Sequence, residues 1–223
     1  MNRYINLLRR ATLSDIISWI VFKSRSALPV VWGTLVLKIK AFYLGIEVGN
    51  GTKCYGRVDL IRCPFSLIHI GNDVSIVSSS YRCTSSSIFA PTKLSTLNPS
   101  SVINIGNSVG LNGTSIVART RSIIIGDGTM IAPNCTIMDS DFHALWPPEN
   151  RTNNPAPQRD KDIVIGKNVW LGSRVIVLKG VSIGDNSIIS AGSIVNTDIP
   201  ANVLAGGNPA RVIRALGKGE NSL

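Results

Sequence analysis

The run Met138-Asp139-Ser140-Asp141-Phe142-His143 sets one of the chain's two histidines beside two carboxylates. An imidazole transfers protons near neutral pH, and a neighbouring carboxylate orients it and stabilises its protonated form. His143 is therefore the candidate general base, with Asp139 or Asp141 as the orienting acid. His69, ahead of Ile70-Gly71, has no such neighbours and reads as a structural residue. Two histidines cannot provide three imidazole ligands, and Cys54, Cys63, Cys83 and Cys135 form no Cys-x-x-Cys pair. No metal site is expected on these grounds. Free, packed thiols in a reducing cytoplasm fit the cysteine pattern, and no cleavable secretory signal is recognised at the start.

What must position His143 is a six-residue period. An aliphatic recurs at Ile165, Leu171, Val177, Ile183, Ile189 and Val195, with Val169, Val175, Val181, Ser187, Ser193 and Ile199 in the fifth place of each block. A helix with 3.6 residues per turn cannot keep such a set on one face. A chain that turns a corner every six residues can, and stacked coils then bury one aliphatic column as a parallel β-solenoid. The phase is already present at Val48, Cys54 and Leu60, and recurs at Ile70–Ile76, Ile88–Leu94, Ile105, Leu111, Ile125, Ile131 and Ile137. The Ser-rich stretch 78–87 is compatible with a loop or with small-cornered coils. Between Ile137 and Ile165 the phase fails for 28 residues, across Pro147, Pro148, Pro155 and Pro157. Long excursions from a regular scaffold are where function is grafted, and His143 opens this one.

Charge is distributed unevenly. The formal net charge is +10, and residues 1–45 hold seven cations against Asp15 alone. Polyanions, anionic lipid and phosphate-bearing ligands are the ordinary partners of such excess. Nucleic acid is excluded, because no recognition motif or basic-aromatic stripe is present. Tyr4, Ile5, Leu8, Ile16, Trp19 and Ile20 recur at helical spacing, with Ser14 or Asp15 as a cap, and a second helix is expected from Pro29 to Gly45. The apolar run Leu28–Leu37 is ten residues, half of what a bilayer span needs (about 20). Two readings remain for 1–45: helices packed on the solenoid or on neighbouring subunits, or a basic amphipathic surface on an anionic inner leaflet. The chain thus divides into a basic amphipathic helical segment (1–45), a parallel β-helix with a catalytic loop at 138–162 (46–208), and a short C-terminal helix and tail (209–223).

Residues 105–214 resemble the hexapeptide-repeat acyltransferases, most closely the galactoside and maltose O-acetyltransferase branch. The matching motifs are Ile125-Gly126-Asp127, Ile165-Gly166-Lys167-Asn168-Val169-Trp170-Leu171-Gly172, Val181-Ser182-Ile183-Gly184-Asp185-Asn186, Ala191-Gly192-Ser193-Ile194-Val195 and Gly206-Gly207-Asn208-Pro209-Ala210. The resemblance implies an all-β, left-handed parallel β-helix; the period alone does not set handedness, and the usual crossover is right-handed. It further implies acetyl-CoA as acyl donor and a homotrimer whose neighbouring coils enclose each cofactor groove. His143 matches the family's catalytic base, and Asn112 an asparagine at the acceptor and acetyl group. Trp170, Ser173, Ala191 and Gly192 match the pantetheine groove. Asn196, Thr197, Arg211 and Arg214 match positions at the cofactor phosphates. In two places the sequence departs from the pattern. Asn196-Thr197 stands where relatives often carry Thr-Lys, which removes one phosphate contact. Arg119 stands near an acidic acceptor-binding position, which argues against a plain galactoside or maltose.

The expected function is an acetyl-CoA-dependent O-acetyltransferase acting on a sugar or glycan hydroxyl in surface-polysaccharide biosynthesis, cytoplasmic and in reach of the inner face of the membrane. An amino sugar, an antibiotic or a serine-like acceptor is the alternative within the class. A non-catalytic hexapeptide-repeat scaffold is the alternative outside it.

Overall fold

The computed structural model describes residues 11–217, except positions 84 and 150. Arg3, Tyr4, Ile5, Leu8, Arg9 and Arg10, and the tail from Lys218, lie outside the described residues.

The six-residue blocks form short strands on three faces, all parallel within each face until the C-terminal strand. Face one carries Glu47–Val48, Leu67–Ile70, Val102–Ile105, Ser122–Ile125, Ile163–Ile165 and Ser182–Ile183 in that order. Face two starts with Lys53–Tyr55, Ser75–Val77, Gly110–Asn112, Met130–Ile131, Trp170–Leu171 and Ile188–Ile189. Face three carries Val58–Ile61, Thr92–Thr96, Ser115–Ala118, Thr136–Met138, Ile176–Val177 and Ile194–Val195. Ile131 stacks on Leu111 below and Leu171 above, and Ile125 on Ile105 and Ile165, so each column aliphatic meets its counterpart in the next coil. Ile165, Leu171, Val177, Ile183, Ile189 and Val195 are all buried, and so are the fifth-position residues Val169, Val175, Val181 and Ile199. The two buried serines in that set are satisfied: Ser187 Oγ donates to the Pro200 carbonyl at 2.7 Å and Ser193 Oγ to the Ser190 carbonyl at 2.6 Å. Corners take the left-handed conformation at Asn168, Asn186 and Asn202. Asparagine tolerates this conformation, and these side chains bond one another from coil to coil.

The N-terminal segment forms one helix, α1 (Leu13–Leu44), instead of two with a break at Pro29. Thr12, rather than Ser14 or Asp15, is the cap: it accepts from the Asp15 N–H, and Asp15 accepts from the Thr12 N–H in return. A mid-helix proline costs about 3 kcal/mol. Here the second half of α1 is held by the first coil, which offsets that cost. Leu37 and Ala41 are buried against it, and the Pro29 carbonyl accepts the Gly56 N–H at 3.3 Å. Gly33 is needed for the approach, since a Cβ there would collide with the carbonyls of Cys54 and Gly56. Gly45 closes the helix in the left-handed conformation, at the expected boundary.

The expected C-terminal helix is absent. Ala210–Ala215 is a strand, antiparallel to Val203–Gly207, and it lengthens face two. Ending the solenoid on Val203–Gly207 would leave a row of backbone donors and acceptors unpaired. A β-branched Val212-Ile213 pair folded back through the Gly207-Asn208-Pro209 turn fills that edge instead.

Two excursions interrupt the coils, and they leave from different edges of the prism. Residues 78–91 lie between face two and face three of the second coil; residues 139–162 lie between face three and face one after the fourth. Ile88 therefore belongs to a loop rather than to the aliphatic column, which the coil fills with Leu94.

Candidate functional site

Along face two, the residue preceding each column aliphatic points outward. Ser75, Gly110, Met130, Trp170, Ile188 and Leu204 form this ladder, one per coil. Met130 and Trp170 are half exposed, at 55% and 47%. Ser75, Met130, Trp170 and Ile188 of this ladder floor a cavity of about 680 Å³ that runs from the 78–91 excursion to the sixth coil. Asn112, Trp170, Ser173 and Ala191 line it, so four of the residues singled out from sequence share one groove. Asn112 is held in place by its Nδ2, which donates to the Ile131 carbonyl at 2.8 Å. The backbone N–H groups of Ser173 and Ala191 have no hydrogen-bond partner among the described residues, and they border the cavity as available donors. Gly192 is exposed beside Ala191 with φ +73, and its N–H is taken by the Ser173 carbonyl. Arg211 and Arg214 are exposed on the added strand, in register with Gly206 and Leu204. They stand at the far end of the same face. Asn196 and Thr197 lie past the last strand of face three, away from the cavity within one protomer.

His143 is exposed on the 139–162 loop. Its Nδ1 lies 3.1 Å from the Arg151 carbonyl oxygen, which can only accept. That bond puts the proton of a neutral imidazole on Nδ1 and leaves the Nε2 lone pair unused, as a general base requires. Arg151 in turn clasps the loop, donating from Nε to the Ala144 carbonyl at 3.1 Å and from its terminal nitrogen to the Leu145 carbonyl at 3.0 Å.

Neither expected carboxylate touches the imidazole. Asp139 is fully buried and accepts three backbone N–H groups, from Arg119 at 2.7 Å, Thr120 at 3.1 Å and Arg121 at 2.8 Å. It binds the loop's first residue to the corner of the coil below. Asp141 pairs with Lys179 Nζ and lies 3.7 Å from Arg159 Nε. Both are anchors of the loop, and the imidazole's hydrogen-bond partner is the Arg151 carbonyl instead. Arg119 is no acceptor contact either: it is buried, donates to Ser140 Oγ at 2.9 Å and to the Pro155 carbonyl, and lies 3.8 Å from Asp160. Thr120 Oγ1 adds a 2.7 Å bond to Asp160. The two ends of the loop are thus fastened to one corner of the third coil.

Met130 and Ile188 escaped the sequence reading, although their position one residue before Ile131 and Ile189 was a sufficient signal. The groove wall formed by Arg82, Cys83 and Ser85 had no such signal, because it lies in the aperiodic Ser-rich stretch. His69, expected to have no carboxylate neighbour, does have one: its Nδ1 lies 3.0 Å from Glu47 Oε2, which the parallel pairing of face one brings beside it from the coil below. The described residues contain no cluster of potential metal ligands.

The bacterial transferase hexapeptide family (six repeats) matches residues 162–197. That stretch of the chain carries hexapeptide repeats. Its coils are the left-handed parallel β-helix that the motifs imply. Over 114 residues it is 41% identical to a galactoside O-acetyltransferase of Escherichia coli (51% of this chain, 54% of the relative). It is 34% identical over 118 residues to a putative lipopolysaccharide biosynthesis O-acetyl transferase of the same species (51% and 60%). The chain spans about half the length of the curated relatives it matches. Among solved structures, AntD, an N-acyltransferase from Bacillus cereus in complex with dTDP and 3-hydroxybutyryl-CoA, aligns with a TM-score of 0.60 and 18% identity, over 81% of this chain and 89% of AntD. At that identity the likeness concerns the fold.

Proposed function

We propose that this hexapeptide-repeat protein is an acetyl-CoA-dependent O-acetyltransferase acting on a sugar hydroxyl, working in surface-polysaccharide biosynthesis. The observation that carries the reading is the face-two groove: an outward Met130, Trp170 and Ile188 ladder, unused N–H groups at Ser173 and Ala191, and Asn112 at one end. A long, mostly apolar pantetheine arm bearing amides matches such a lining, and two exposed cations farther along the same face, Arg211 and Arg214, suit its phosphates. The names of the relatives support acetyl transfer to a sugar.

In this reading the acceptor oxygen attacks the thioester carbonyl as His143 Nε2 takes the hydroxyl proton. The carbon–sulfur bond then breaks, and the CoA thiolate leaves with that proton. Positioned general bases contribute about 10²–10⁴-fold. A preorganised donor at the developing oxyanion contributes roughly 3–4 kcal/mol, and Asn112 or a groove N–H is placed to act as one.

One protomer does not hold the whole constellation. Asn112 ends a face-two strand, at the edge between faces two and three, whereas the His143 loop leaves the edge between faces three and one. Beside His143, Leu145 and Trp146 are 54% and 80% exposed. A cyclic trimer that sets the loop of one copy over the groove of the next would cover them and complete the site. This arrangement belongs to the same proposal.

The exposed stripe of α1 supports peripheral contact with an anionic membrane through residues 1–45. Val31, Trp32, Leu35, Ile39, Phe42 and Tyr43 face away from the coil, and the segment is strongly basic. Among the described residues no helix is long and apolar enough to cross a membrane. An enzyme resting on the inner leaflet from the cytoplasm would meet a lipid-linked sugar there.

The test is His143→Ala. The variant is expected to fold, to bind acetyl-CoA as the parent does, and to turn over about 10²–10⁴ times more slowly. Unimpaired turnover would remove His143 from the mechanism. Failure of the parent to bind acetyl-CoA by calorimetry would favour the scaffold alternative over any transferase.

A further inference from the structure

The 78–91 excursion is constructed as a wall, and the wall carries a cation. Its far arm is fastened to the fourth and fifth coils: the Phe89 N–H donates to Asn134 Oδ1 at 2.9 Å, Asn134 Nδ2 donates to the Ser87 carbonyl at 2.9 Å, and the Arg174 guanidinium lies 5.0 Å over the Phe89 ring. Its near arm brings Arg82, Cys83 and Ser85 to the end of the groove beside Asn112 and Ser75. Arg82 Cζ lies 5.0 Å from the centroid of the Tyr55 ring, a cation–π contact that holds the guanidinium at this place without using its N–H donors on a carboxylate. Among the described residues no carboxylate pairs with Arg82. The acidic residues that lie near other arginines here (Asp59, Asp160, Asp141) are already engaged with Arg57, Arg119 and Arg159.

A guanidinium held over an aromatic ring on the wall of a cavity, with no counter-ion among the described residues, is a receptor for a carboxylate or a phosphate. It lies at the opposite end of face two from Arg211 and Arg214, with the Met130 and Trp170 ladder between them. A ligand whose phosphates are held at the Arg211 end and whose reactive carbon reaches Asn112 leaves Arg82 to the other substrate. We propose that the acceptor is an anionic sugar, whose carboxylate or phosphate is held by Arg82 while a nearby hydroxyl is presented at Asn112. This rests on the transferase reading above and gives that site a substrate class.

The experiment titrates CoA-loaded protein calorimetrically with glucuronic acid, glucose 1-phosphate and glucose, for the parent, Arg82→Gln and Arg82→Lys. In the parent, at least one anionic sugar is expected to bind about 10-fold or more tighter than glucose, as a charge-assisted bidentate contact implies. Which one binds separates a carboxylate acceptor from a phosphorylated one. Arg82→Gln is expected to abolish that preference and leave CoA affinity unchanged, and Arg82→Lys to keep part of it. The proposal is overturned if glucose binds as well as both anions, if the preference survives Arg82→Gln, or if Arg82→Gln weakens CoA itself, which would make Arg82 a cofactor contact. Absence of CoA binding in the parent is a separate result. It removes the transferase reading, and with it the assignment of the anion site to an acceptor.

Discussion

Arg119→Met tests whether the His143 loop is held by the buried clasp described above. Arg119 and Asp160 are 3.8 Å apart, with side chains 11% and 1% exposed. With an effective dielectric of about 20, unit charges at that distance attract by about 4 kcal/mol. Methionine fills similar space but leaves the Asp160 charge without its cation, and Asp160 Oδ1 already has no hydrogen-bond donor. Breaking a buried pair from one side costs about 3–5 kcal/mol. For a chain of this size, each kcal/mol shifts Tm by about 2–4 °C, so a fall on the order of 10 °C follows if the clasp unfolds with the coils. If the loop undocks first, Tm holds and cleavage by protease within 142–159 accelerates instead. The decisive comparison is Arg119→Met with Asp160→Asn added. Removing the orphaned charge should restore at least half the loss, because an asparagine there needs no cation. Strictly additive losses in the double variant, or an Arg119→Met protein with unchanged Tm, protease resistance and turnover, would refute the clasp.

The thiols and α1 give two further predictions. Burial pushes the Cys54 thiol up to about 12 and the Cys135 thiol up to about 11, so at pH 8 about one in ten thousand and one in a thousand are thiolate. Iodoacetamide should spare both and label Cys63 and Cys83, which are partly exposed. CoA together with the anionic sugar that binds should slow labelling of Cys83, on the wall beside Arg82, and leave Cys63 as the internal control; equal rates with and without them would place the acceptor elsewhere. Trp32→Glu, at a residue 69% exposed on the α1 stripe, should leave Tm unchanged and reduce partition onto anionic vesicles severalfold or more. Undiminished partition would reject the stripe as the membrane contact.

The coil was legible because its pitch is a whole number of periods: residues six apart lie on successive faces, and eighteen apart they stack, so Ile165, Ile183 and their counterparts declared the column directly. The excursions were less legible for the same reason. Outside the period nothing in the sequence says which residues meet. Asp139 beside His143 in the sequence suggested an acid–base pair, yet a strand ending at Met138 turns the next carboxylate inward, toward the N–H groups of residues 119–121 in the coil below. Pro29 suggested the start of a second helix by local chemistry, and packing against the first coil overrode the break. The C-terminal Arg-Val-Ile-Arg run lacked any helix-forming bias strong enough to compete with an open sheet edge.

The division of labour between the two excursions follows from the geometry of a three-faced prism. A groove along one face can be continuous over many coils only if no loop crosses it. An excursion that must bring chemistry to the groove therefore leaves from an edge. The 78–91 loop borders face two directly and walls one end of its cavity. The 139–162 loop leaves from the edge that face two does not share, and its anchors (Asp139, Arg119, Asp141 with Lys179) fix its root without turning it back toward its own groove. In the reading proposed above, a base held at that edge serves the groove presented by another copy. If purified protein proved monomeric and fully active at nanomolar concentration, the assignment of His143 to this groove would fail, whatever its resemblance to the family's histidine.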